Sequence, residues 1–239
     1  MLSIEMITFA ANNIAMNIQE FEYHKKHFPY DACAAHWKEN SWKREEFVSY
    51  FNPDKIASME ISEYVVGSGD TTTFCYGLWV GLMQLANIRS AFPTDFGVYY
   101  SKNKHQYVPD KRHWDNPEEA FECMKTAILG LLDAGKKEDL DALADNPLNA
   151  MVKGKILTTY FPHRYLSICS NNHINYYMKA FDLYNTSTKD INPVLKREIL
   201  VDFKNNDMIM KDWSLDQFAY FLWGVFPKAP KNKTMCRSK

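Results

Sequence analysis

Hydrophobic positions along the chain fall mostly at helical spacing. Phe121, Met124, Ile128 and Leu131 make one apolar stripe behind Asn116-Pro117-Glu118-Glu119. There asparagine offers a capping oxygen, proline supplies a helical φ without an amide to satisfy, and two acids suit the positive end of the helix dipole. This predicts a helix from Pro117 with Gly135 as its stop. Asn52-Pro53, Asn146-Pro147 and Asn192-Pro193 read the same way. Leu148, Met151, Val152 and Ile156 line one side of a helix expected after Pro147 and ending before Pro162. Others are expected from Pro193 to Phe203 and from a capping Ser214 through Leu222. Residues 1–50 read as helical with breaks near Pro29 and Ser41, and Phe74 to Leu85 as a buried core helix. That run is broken by Gln84 and Asn87, and a membrane span needs about 20 apolar residues.

Period-two alternation is rarer. Phe96, Val98 and Tyr100 alternate with Gly97, Tyr99 and Ser101, and the polar run Lys102 to His105 looks like a hairpin tip before Tyr107-Val108. A third short strand is expected at Tyr165 to Cys169. The fold class is therefore α+β, mainly helical with a small central antiparallel sheet or hairpin. The division expected is a helical N-terminal segment over 1–55, an α+β recognition domain over 56–227, and a disordered basic tail over 228–239.

With 239 residues, 46% of them hydrophobic and 15% aromatic, the chain can bury a core, which excludes general disorder. A net charge of -1 excludes a uniformly basic nucleic-acid binder but hides an uneven distribution. Residues 1–70 hold six Lys/Arg and eleven Asp/Glu, whereas no acid lies between Asp145 and Asp182. Solvated helix faces and an anionic partner both explain this asymmetry. Five scattered cysteines and no secretory signal in Met1 to Ala10 point to a reducing, cytoplasmic setting without a membrane.

Catalytic signatures are missing. There is no G-x-x-x-x-G-K-[ST] loop, no G-x-S-x-G elbow and no nuclease motif, so the chain is expected not to be an enzyme and to need no cofactor. Gly67-Ser68-Gly69-Asp70, followed by three threonines, reads as a turn with a threonine cap rather than a phosphate loop. Cys169 and His173 lack an orienting third group for thiol chemistry. His24, His27, Cys33 and His36, paired at i,i+3 spacing, are the best metal candidate, with separate histidines as the blander account.

Cations and aromatics interleave from Tyr99 to Trp114. Cations at that density suit phosphates, and aromatic faces suit unpaired bases. The plainer alternative is a hairpin packed on the core by its tyrosines, with lysines solvating the tip.

Five phrases occur in order: Met59-Glu60-Ile61-Ser62-Glu63-Tyr64, Thr73-Phe74-Cys75-Tyr76-Gly77-Leu78-Trp79, Phe96-Gly97-Val98-Tyr99-Tyr100, Lys155-Ile156-Leu157-Thr158-Thr159-Tyr160-Phe161-Pro162, and Tyr165-Leu166-Ser167-Ile168-Cys169-Ser170 with His173. Together they resemble the N-terminal recognition region of McrB-type modification-dependent restriction proteins and related AAA+ defence ATPases, over roughly Ile56 to Leu222. The resemblance implies a module that binds double-stranded DNA, often methylated, with modified cytosine as the base read. An AAA+ motor and a nuclease subunit are then its partners. On that reading Lys102, Lys104, Lys111, Arg112, Lys153, Lys155 and Arg164 contact DNA, while Tyr99, Tyr100, Tyr107 and Trp79 read the base. The rival is a protein-interaction or assembly domain of a defence complex without direct DNA contact.

Overall fold

The structure, a computed structural model, describes residues 18–226 except 87, 89 and 90; of residues 18, 30–37 and 39 the backbone alone is described. Two helices, α1 (Ile18–His27) and α2 (Tyr30–Tyr50), lead into the short α3 (Pro53–Ser58), α4 (Ile61–Tyr64) and α5 (Phe74–Tyr76). The last continues as a π-helical turn, Gly77–Gly81. A 3-10 turn, Pro93–Phe96, precedes strands β1 (Val98–Ser101) and β2 (Gln106–Pro109). Then come α6 (Pro117–Lys137), α7 (Leu140–Asp145), α8 (Ala150–Tyr160), α9 (Asn171–Ala180), α10 (Pro193–Asn205) and α11 (Leu215–Val225). Among the described residues the fold is mainly helical α+β with one two-stranded antiparallel sheet. No described helix is long and apolar enough to cross a membrane.

Capping chemistry explains most helix starts. Asn52, Asn116 and Asn192 accept the amides of Lys55, Glu119 and Val194 at 3.0, 3.0 and 2.9 Å, each with proline following at the first helical position. Ser214 caps α11 reciprocally with Gln217. The fourth pair departs from expectation. Asn146 donates to the Ala127 carbonyl and accepts from Leu148 in a local turn, so Asn149 caps α8 instead.

Four other expectations are corrected. Ser41 does not break α2, because its hydroxyl donates back to the Lys38 carbonyl at 3.1 Å and the helix continues. Gly135 does not stop α6, which runs on to Lys137 and ends with Glu138 in the left-handed region at φ 57°. Gly135 serves packing: a β-carbon there would lie 2.6 Å from the Phe161 ring. The helix expected over Phe74 to Leu85 shrinks to α5, the π-helical turn and a bend. No strand forms at Tyr165 to Cys169, where alternation has another cause. Tyr165 and Cys169 enter one hydrophobic cluster, and Leu166 and Ile168 enter another.

Those two clusters make the core. The first gathers Phe47 of α2 and Phe51 just past its end, the α5 residues Phe74 and Cys75, and the inner faces of α6 and α8. The second joins Phe21 of α1 to Leu166, Ile168 and the apolar sides of α9, α10 and α11. The expected basic tail, 228–239, lies outside the described residues.

Candidate nucleic-acid interface

The hairpin follows from its residues. Val98, Tyr99, Tyr100 and Ser101 pair with Pro109, Val108, Tyr107 and Gln106 in turn, leaving the four residues Lys102–His105 as the connecting loop. Its polar side chains have nothing to bury. His105 takes the left-handed conformation at φ 49° that closes such a loop, and the Lys104 amide donates to the Ser101 carbonyl. Lys102, Lys104 and His105 are all exposed. Tyr100 and Tyr107, directly opposed, meet edge to face at 5.5 Å. They line a cleft of about 440 Å³ together with Lys104, His105, Lys111, Asp115 and Glu118.

The segment before α5 lies along β1. The Tyr100 amide donates to the Val66 carbonyl at 2.9 Å, and Gly67 passes so close that a β-carbon would sit 2.3 Å from the Tyr100 oxygen. Only glycine fits there, at φ 101°. Beyond it Asp70 accepts from the Thr72 amide and hydroxyl, which holds its carboxyl below the usual range. Thr73 then caps α5.

The other expected base readers separate from this pair. Tyr99 pairs with Val108 and points to the opposite face of the hairpin, as alternate strand residues must. Trp79 packs on Phe96 with ring centres 5.7 Å apart. The four aromatics therefore do not form one surface.

The expected phosphate contacts divide as well. Lys111 is exposed and reaches Asp115 at 3.3 Å. Arg112 is engaged by the buried Asp110 through both carboxylate oxygens, at 2.8 to 3.0 Å. Those bonds depress the Asp110 pKa. Arg164 is elsewhere, in a separate cleft of about 480 Å³ with His163, Asp202 and Ser214. It is held by Glu138 at 2.8 Å and Glu198 at 2.9 Å, and its guanidinium lies over the Tyr165 ring.

Lys153 and Lys155 are not surface cations at all. They are 3% and 0% exposed, because α8 is buried from Val152 to Thr159. Lys153 donates to the carbonyls of Leu143 and Ala144 at the end of α7, at 2.8 and 3.1 Å. Lys155 donates to those of Leu82 and Leu85, in the bend after the π-helical turn. Burial pulls both amines down, to about 8 each. Lys204 behaves alike, donating to Met210, Lys211 and Trp213 carbonyls. These lysines tie loops and helix ends to the core.

His27 stacks on Tyr23 with ring centres 4.1 Å apart, and its Nδ1 is 2.8 Å from the Tyr23 carbonyl. Among the described residues no His, Cys, Asp and Glu group could hold a metal; the side chains of Cys33 and His36 lie outside them. Cys169 is buried, which raises its thiol pKa, while His173 packs on Trp223.

One feature escaped the sequence reading. Trp42 and Tyr50, 53% and 57% exposed, flank a groove of about 620 Å³ between α2 and the stretch from Thr71 to Leu82. Their i,i+8 spacing was the available signal, but the polar residues around them in α2 give no amphipathic contrast. Compared with family models, curated proteins and solved structures, the chain matches none.

Proposed function

We propose that the protein is a DNA-recognition module of a restriction or defence system, acting in the cytoplasm and contacting double-stranded DNA through its β-hairpin. One arrangement carries the reading. Lys102 and Lys104 stand exposed on the loop, Lys111 follows at the hairpin base, and the Tyr100–Tyr107 pair edges the cleft between. Cations on a projecting hairpin reach phosphates without deforming the fold, and the ring pair gives the tip a rigid base. Modified cytosine as the base, and an AAA+ motor and nuclease as partners, rest on the resemblance to McrB-type recognition regions.

The electrostatic share is modest. Three lysines releasing counterions give a slope of log affinity on log salt of about −2.7, or roughly 40-fold between 50 and 200 mM salt. Seven cations would have given about −6. The test is fluorescence anisotropy on duplexes bearing plain, methylated and hydroxymethylated cytosine across a salt series. Binding with the shallower slope, abolished by the double charge reversal K102E/K104E, is expected. A salt-independent affinity, or none, rejects the reading and favours an assembly domain.

A further inference from the structure

The hairpin loop and the aromatic groove are joined by a single strap of chain. Lys102 lies over Gly69, where a β-carbon would sit 3.2 Å from its Nζ. Two residues later, at most about 7 Å of extended chain, Thr71 and Thr72 form a wall of the groove. Cation and groove are thus neighbours on one stretch of surface.

The groove has the parts that hold a flat ring. Trp42 and Tyr50 rise from the same side of α2, about 12 Å apart along its axis. Gly77 and Gly81, both in the π-helical turn, line the groove with them. Gly77 is demanded by internal packing, since a β-carbon there would lie 2.7 Å from the Phe47 ring. Gly81 is not: a β-carbon there would meet nothing within 4 Å. The lining stays low at Gly81 although the protein's own contacts leave room for a side chain. π-Helical turns are rare and concentrate at functional sites. This one is held in place at its far end by the buried Lys155, through Leu82. A protein partner would be favoured by an unbroken apolar face, but Lys43, Glu46, Thr71 and Thr72 share the lining of this groove with the aromatics.

We infer that the groove between Trp42, Tyr50 and the Gly77–Gly81 turn takes an unpaired nucleobase of a DNA strand whose phosphates lie on Lys102 and Lys104. The inference rests on the reading of the hairpin as a DNA contact and moves base recognition away from the tyrosines of the strands. Stacking on exposed aromatics supplies the affinity for the base, independent of its phosphate.

The probe is a pair of single-stranded hexamers, one of deoxycytidine and one abasic with the same phosphates, titrated into the full chain. The wild-type protein binds the deoxycytidine hexamer at least five-fold more tightly, as one stacked base supplies. W42A/Y50A removes that ratio and leaves the affinity for the abasic hexamer unchanged. G81L, which fills the groove while keeping both aromatics, does the same. K102E/K104E weakens both hexamers alike and preserves the ratio. Equal wild-type binding of the two hexamers, or a ratio that survives both groove variants, overturns the inference and leaves the hairpin reading standing. Binding of neither hexamer also overturns the inference, while the duplex titration decides the hairpin reading separately.

Discussion

The ammonium of Lys155 donates to the carbonyl of Leu82, 73 positions earlier in the chain, and to that of Leu85 beside it. A fully buried amine thus fixes the bend that ends the π-helical turn. Lys155→Met fills similar volume but leaves two carbonyls unpaired, at a cost of about 1–3 kcal/mol. Urea unfolding should show that loss, and hydrogen exchange should rise first over residues 82–86. A variant of unchanged stability and exchange would show that the bend holds without its clamp.

Stability should depend on pH in an unusual direction. Lys153 and Lys155 titrate near 8 when folded and near their ordinary 10.5 when unfolded. Above pH 8 the unfolded chain therefore binds more protons, and stability rises with pH. From pH 8 to 9 each lysine contributes about 1 kcal/mol. Cys75, Cys169, Tyr64 and Tyr160 act oppositely, since burial raises their pKa values and the unfolded chain loses those protons first. Thermal midpoints measured across this range should climb just above pH 8 and fall beyond about 10.

Two glycines of α6 should answer the same substitution with opposite signs. Gly130 has nothing within 4 Å of a β-carbon, so Gly130→Ala should stabilise by about 0.5–1 kcal/mol through helix propensity. Gly135 lies under Phe161 and Leu157, so Gly135→Ala should destabilise by about 1–3 kcal/mol. Denaturant midpoints of the two variants settle the comparison.

Arg164 tests the separation of surfaces. It bridges Glu138 and Glu198, and the Glu198 carboxyl is already raised by burial. Arg164→Ala should therefore cost about 1–3 kcal/mol in stability. Its affinity for DNA and its salt slope should remain those of the wild type. A lower slope would place this cleft in the interface.

Much of the local structure was legible because its causes are local. Asn52, Asn116 and Asn192 act within three residues of themselves, and the Val98–Pro109 hairpin follows from alternation around a polar loop. Ser41 and Gly135 misled for the complementary reason. A hydroxyl has both a capping and a back-bonding option, and a glycine meets both left-handed backbone and close contact; neighbours choose between them.

What the sequence by itself determined, then, is the helical scaffold, its caps and the exposed lysines of the hairpin loop. What only tertiary structure decided is where the remaining cations went. Lys102 and Lys153 carry the same charge, yet one meets water and the other the carbonyls ending α7. A helix end leaves its last carbonyls without partners, and a long flexible amine satisfies them only if folding brings it within reach. That reach spans elements distant in the chain, so no local pattern of residues records it.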